Sequence, residues 1–391
     1  MHRYPRSFWL ANLVNLLCLG GVSTLVHLPA YFQFQGLTRW EIGVTEGAFW
    51  LAAVAVQPAL GQSLDRRGRR AYFLGGGLAL TLLTAGLLVL PVDPVSTALW
   101  RAAMGAAQAV YFTAIWTWVA DHAAPGHLAE TLGIFGISGL LSGVLGPVLA
   151  EVVLHHRGWP YVFLTASVLG LGAVALASLL RDRPLPSRPQ GRPGPYWQAA
   201  WAPGLRSPVT AALVFGLATG SLFAFLAPYL AVLKMPGVGG FFTCYVAASV
   251  LTRLFLGRLA DRLGPGRLIF PSLVAMAAGL GGLALLAPGG LRGAPLLALC
   301  AILGGGGHGA IYPALNALVV ERLGNTSRGT GLSMVTAAVD LGAFAGAALS
   351  GWAAHRLGYP AMFAGVGLSV VAGALGCFFL EARHRPEVAP T

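Results

Sequence analysis

The chain has 391 residues, of which 56% are hydrophobic and 10% charged, where a soluble domain is about 25% charged. That excludes a soluble globule, which could not hide so much apolar surface. It also makes the net charge of +12 a matter of membrane topology and anionic headgroups rather than of nucleic acid.

A bilayer is crossed by about 20 apolar residues in a helix. Runs of that kind recur twelve times, at 8–32, 39–60, 71–91, 95–119, 131–154, 159–180, 208–232, 240–257, 268–288, 294–319, 329–353 and 359–380. The first starts at Phe8 behind a basic head of His2, Arg3 and Arg6; it is too long for a cleavable signal peptide, and none is expected. It carries Asn12, Asn15, His27 and Tyr31. The second opens on Thr38-x-x-Glu41, a capping box. Two turns further lies Glu46, an ionisable group at a depth where each one costs about 2.5–3.5 kcal/mol on insertion scales. It is either a proton site or a carboxylate solvated from the outer side. Between the second and third runs stands GQSLDRRGRR, 61–70.

The fourth run contains Arg101, Gln108, Tyr111 and Trp116. Arg101 cannot deprotonate; it modulates a nearby carboxylate, holds an anion, or snorkels to the outer headgroups. The fifth reads GIFGISGLLSGVLGPVLAE, 133–151. After the sixth, DRPLPSRPQGRPGPYWQAAWAPGLR (182–206) has six prolines and reads as a semi-stiff linker. The expected organisation is therefore 1–181, a linker at 182–207, and 208–391. The seventh run brings Phe225 and Tyr229. In the eighth, Arg253 lies one turn before a second charged hairpin, GRLADRLGPGR (257–267), and is expected to snorkel. The tenth holds His308 behind four glycines, then Tyr312 and Asn316. The eleventh holds Asp340 among small residues, where a carboxyl can serve as a proton carrier, stay neutral, or stay paired with Arg101 or another base. The four cysteines, Cys18, Cys244, Cys300 and Cys377, fall in apolar runs without metal-like spacing and read as small hydrophobes.

Two regularities organise these runs. Gly61, Asp65, Arg66 and Gly68 recur 196 residues later as Gly257, Asp261, Arg262 and Gly264, and Pro160 recurs 200 later as Pro360. A period near 200 with six runs per half makes a parallel repeat about an axis along the membrane normal. Most arginines fall on one side, 18 of 25 basic residues, which is expected to be cytoplasmic together with both termini. The expected fold is all-α and polytopic: twelve transmembrane helices in two six-helix bundles.

On these residues the chain resembles the major facilitator superfamily. The 61–70 stretch matches the family's G-x-x-x-D-R-x-G-R-R loop, Arg101-x-x-x-Gly105 is similar to a motif of proton-coupled members, and the fifth run is similar to the antiporter glycine-proline motif, with Ser142 where a glycine is usual. The resemblance implies alternating access and a latch on the cytoplasmic side, here Gly61, Asp65, Arg66 and Arg69 with Gly257, Asp261 and Arg262 as its mate. It implies a central cavity lined from the first, fourth, seventh and tenth helices, for which the candidates are Asn12, Asn15, His27, Tyr31, Gln108, Tyr111, Trp116, Phe225, Tyr229, Tyr312 and Asn316. Asp340, Glu46, Arg101 and His308 are the proton-coupling candidates. The expected function is proton-coupled efflux of a small organic or amphipathic compound from a bacterial inner membrane. The alternatives are import of a sugar or carboxylate, and lipid flipping. Neither Walker A nor nucleophile-elbow patterns occur in a credible setting, so no enzyme is expected. The expected partners are substrate, protons and lipid, with no nucleic acid, no metal and no cofactor beyond the proton gradient, in a functional monomer.

Overall fold

A computed structural model describes residues 4–123, 128–182, 203–264, 266–286, 293–323 and 328–382. They form twelve helices, and no strand occurs among them. These are α1 (Arg6–Phe34), α2 (Arg39–Arg67), α3 (Arg70–Gly86), α4 (Pro94–His122), α5 (Leu128–Arg157) and α6 (Trp159–Ala177), followed by α7 (Arg206–Val232), α8 (Val238–Leu263), α9 (Gly266–Leu283), α10 (Gly293–Leu323), α11 (Arg328–Leu357) and α12 (Tyr359–Ala382). Eight contain a stretch long and apolar enough to cross a membrane. Among the remaining four, α3 has 17 residues, the apolar stretch of α8 stops at Arg253, and α2 and α4 carry Glu46, Arg101 and Gln108.

The ends follow local chemistry. Thr38 and Glu41 form the expected capping box on α2: Glu41 Oε2 accepts from the Thr38 amide at 2.7 Å, and the Thr38 hydroxyl accepts from the Glu41 amide at 3.3 Å. Asp93 caps α4 by accepting from the Val95 and Ser96 amides at 3.1 and 3.0 Å. The Ser96 hydroxyl first, then these amides, hold its carboxyl below the ordinary aspartate range. α1 is interrupted by a 3-10 turn at Leu25–His27, just before Pro29, which cannot donate to the helix ladder.

One expectation is corrected here. The charged stretches read as hairpin loops are mostly helix: α2 runs through Arg67 and α8 through Leu263. The turns shrink to Gly68 and Gly264, whose φ values of +86° and +83° suit glycine alone. The positive-φ glycines fall into three pairs, Gly36 and Gly237, Gly68 and Gly264, Gly158 and Gly358, which are 201, 196 and 200 residues apart. Each half therefore bends its backbone at the same places.

The chain forms two compact units, one of 1–189 with 238–243 and one of 190–237 with 244–391. In the first, α2 packs on α4, α1 on α5 and α6, and α3 on α4 and α6. Glycine brings backbones together: a Cβ on Gly105 of α4 would lie 2.0 Å from the Phe49 carbonyl oxygen of α2. In the second, α7 and α11 interlock. Cβ atoms on Gly216 and Gly220 would lie 2.0 and 2.2 Å from the carbonyls of Val339 and Ala343, and those on Gly342 and Gly346 would meet Leu213 and Leu217 in return. Both pairs have the small-x-x-x-small spacing of close membrane helix contacts. Gly305 and Gly309 of α10 take the same form against the backbone of Tyr245 and Ser249.

Candidate functional site

In the first unit the glycine contact between α2 and α4 places two ionisable groups face to face. Glu46 and Arg101 are both buried, at 6% and 9% exposure, and Arg101 Nη2 donates to Glu46 Oε2 at 2.5 Å. The guanidinium also sits 4.3 Å from the centre of the Phe49 ring, a cation–π contact one turn along α2 from Glu46. Glu46 Oε1 and Arg101 Nε are buried without hydrogen-bond partners. Among the described residues the pair is buried and only half satisfied. Of the roles open to Arg101 in the sequence, the structure places it on a carboxylate and away from the surface.

A second polar set lies between α1, α4 and α5. Asn15, fully buried, donates to Ser138 Oγ at 2.8 Å, which ties α1 to α5. The Tyr111 hydroxyl lies against the Cys18 thiol, while Asn15 Oδ1, Gln108 Oε1 and Trp116 Nε1 are buried and have no hydrogen-bond partner among the described residues. The same holds for Nε2 of His27, whose ring lies against the Pro147 carbonyl and within electrostatic reach of Glu151. Asn12 turns back on its own helix, donating to the Phe8 carbonyl at 2.9 Å. Tyr31 packs on Trp159 and Phe163, its hydroxyl accepting from Gln35.

The second unit gathers a different set. Tyr245 of α8 and His308 of α10 share a hydrogen bond of 2.8 Å between hydroxyl and Nδ1. The Phe215 ring stands edge-on to His308 at 4.9 Å and 6.4 Å from the Tyr312 ring. Arg253 Nε donates to the Gly309 carbonyl at 3.3 Å. Gly309 stands near the middle of the 31-residue α10, about 20 Å from its end at 1.5 Å per residue. The head of Arg253 thus bonds a carbonyl of α10 that the tight α8–α10 contact brings within reach. Phe225 and Tyr229 lie in a closed aromatic cluster with Tyr359 and Phe363, and the Tyr229 hydroxyl donates to the Leu286 carbonyl at 3.3 Å. Asp340 and Asn316 are half-buried on α11 and α10.

At the arginine-rich ends of the first unit, Arg69 Nε bonds Asp121 at 3.0 Å, and another of its nitrogens donates to the Leu64 carbonyl. Asp182, just past α6, accepts from the amides of Arg69 and Arg70 at 3.0 and 3.1 Å, and Arg70 donates to the carbonyls of Leu180 and Ser178 at 2.8 and 2.7 Å. Asp182 thus places a carboxylate on the amides that open α3, where the helix dipole favours an anion. Glu381, 199 residues later, pairs instead with Arg322, which also donates to the Gly204 carbonyl. The side chains of Asp65, Arg66, Asp261 and Arg262, and the surroundings of Gly61 and Gly257, lie outside the described residues. Phe49, Ser138, Asp121, Asp182 and Tyr245 were not picked out from the sequence. Only Asp182 carried a signal there, its recurrence as Glu381 at the repeat period.

The sequence profile of the Major Facilitator Superfamily matches residues 8–292 and 236–391. The multidrug resistance protein MdtG of Salmonella choleraesuis is 28% identical over 400 residues, covering 91% of each chain, and that of Enterobacter lignolyticus is 26% identical over 91% of this chain and 88% of its own. A multidrug resistance protein B homolog of Mycobacterium tuberculosis is 30% identical over 191 residues, 44% of this chain; the match spans only 35% of that relative's length. Among solved structures, the nucleoside transporter NupG superposes with a TM-score of 0.73 at 14% identity, over 96% of this chain and 99% of its own. An auto-inhibited POT family peptide transporter does so with 0.76 at 13%, over 99% of both.

Proposed function

The chain belongs to the major facilitator superfamily, and from that premise we propose that it exports small organic or amphipathic compounds in exchange for protons, by alternating access of its two halves, with Glu46 as the proton carrier. The observation that carries this reading is the Glu46–Arg101 pair, a carboxylate and a guanidinium at 2.5 Å within the first unit, each with a buried polar atom left unsatisfied. The multidrug names of full-length relatives support the outward direction.

The mechanism follows from the charge states of the pair. With Glu46 ionised, α2 and α4 are tied by a charge-assisted bond in a medium of low dielectric. A proton arriving on Glu46 neutralises the carboxyl and leaves Arg101 with only the Phe49 ring as a charge partner. The two protonation states therefore prefer different spacings of α2 and α4, and a proton gradient can bias one against the other. That gradient supplies about 2.3 kcal/mol per charge per 100 mV, plus its pH term. Asp340 is a second proton site in this proposal, and His308 a polar handle on the substrate side. The charged turns, Arg69 foremost, act as the cytoplasmic latch. The working unit is a monomer in a bacterial inner membrane, both termini inside, without a cofactor.

Proteoliposomes loaded with a pH-sensitive dye and offered a panel of cationic, neutral and anionic fluorescent compounds test it. At least one compound is expected to move against protons, and Glu46→Gln should lower that exchange by at least tenfold while downhill flux persists. Unchanged exchange in the variant would refute the assignment of Glu46, and movement of solute with protons would replace export by symport.

A further inference from the structure

Two arginines, Arg101 and Arg253, stand beside the functional sets, and among the described residues Arg101 has a counter-ion and Arg253 has none. Arg101 has Glu46. Arg253 bonds only the Gly309 carbonyl, through Nε at 3.3 Å, and no carboxylate pairs with it among the described residues. A guanidinium has five N–H donors in a rigid fork; four of these are uncommitted here. Arg253, His308 and Tyr312 are each partly exposed, whereas Tyr245 behind them is buried. The Arg253 charge is felt by His308, Tyr245 and Tyr312, so these groups form one electrostatic neighbourhood. Phe215 and the two tyrosine rings give it an apolar wall.

From this geometry we propose that Arg253 is a substrate-recognition residue, and that the second unit takes an organic anion: a carboxylate or similar oxyanion on an aromatic or apolar body. The terminal nitrogens of the guanidinium receive the oxyanion side by side, the Tyr312 hydroxyl donates beside them, and the Phe215 ring packs on the body of the solute. The Tyr245–His308 hydrogen bond fixes the imidazole edge that faces the ligand. A lipid phosphate offers the same anionic chemistry, and adding an anionic lipid in the test below separates the two sources. The inference rests on the transport reading of the fold, and not on the proton step at Glu46, because binding needs no gradient.

The test is equilibrium binding of 2-naphthoate and of its uncharged analogue 2-naphthamide to the purified full-length chain at pH 7.5, in nanodiscs of neutral lipid. Naphthoate is expected to bind at least tenfold more tightly than naphthamide. Arg253→Gln should remove that preference without altering naphthamide binding, and Arg253→Lys, which keeps the charge but not the fork, should retain part of it. Equal binding of the two compounds by the unaltered protein overturns the proposal whatever the variants do, as does failure to bind naphthoate at all. Loss of the preference when phosphatidylglycerol is added to the nanodiscs assigns Arg253 to headgroups and also overturns it. A failed Glu46→Gln exchange experiment leaves these outcomes untouched, so the two readings fail separately.

Discussion

Arg101 and Arg253 occupy related settings in the two halves, each beside a glycine contact between neighbouring helices, yet they are treated differently. Gly105 lets α4 approach α2 closely enough for Arg101 to meet Glu46 and Phe49. Gly305 and Gly309 let α10 approach α8, and there Arg253 meets a backbone carbonyl, with Tyr245, His308 and Tyr312 within electrostatic reach. One half neutralises its buried cation internally; the other holds a partly exposed cation with no carboxylate beside it among the described residues. A paired ion contributes to the fold and changes when a proton arrives, whereas a cation lacking its own anion is available to one brought from outside.

The sharpest way to break this contrast is to remove one partner of the internal pair. Arg101→Met leaves the Glu46 carboxylate buried alone, and breaking a pair in that manner costs about 3–5 kcal/mol. Denaturation of the detergent-solubilised protein should show a loss of that order, and Glu46→Gln placed on top should recover most of it; a mild effect of Arg101→Met would mean that the pair contributes little to the fold. Next in size is Asp182→Ala, which strips a carboxylate from the amides of Arg69 and Arg70 at the start of α3. A capping group of this kind is worth about 0.5–2 kcal/mol. Glu381→Ala releases Arg322 instead and leaves no helix amide known to depend on it, so its loss should be smaller when both are measured by thermal unfolding. The smallest effect should come from Arg253→Gln, within about 1 kcal/mol in either direction, because it exchanges one weak carbonyl bond for relief of an uncompensated charge. A loss as large as that of Arg101→Met would show that Arg253 is needed for the fold itself.

Much of this was legible in the sequence. Twelve apolar runs, the capping box at Thr38 and Glu41, and the glycines at 68 and 264 are local features, set by hydropathy, side-chain reach and backbone sterics within a few residues. The repeat was legible too, since Asp65 recurs as Asp261 at 196 residues and Pro160 as Pro360 at 200. Helix ends were less so: α2 and α8 continue through their charged segments because arginine and leucine favour helix as readily as the apolar residues before them.

What the sequence by itself determined is the set of ionisable groups carried into the bilayer, because each is costly there and few exist. It could not say which of them meet. Glu46 was a lone carboxylate and Arg101 a lone cation, 55 positions apart; only the approach of α2 to α4 at Gly105 made them a pair. The contact at Gly309 gave Arg253 a carbonyl partner on another helix, which its place near a helix end did not reveal. Partner choice among buried charges rests on angstrom-scale approach of helices distant in sequence, and that is a property of tertiary packing, to which neither composition nor periodicity has access.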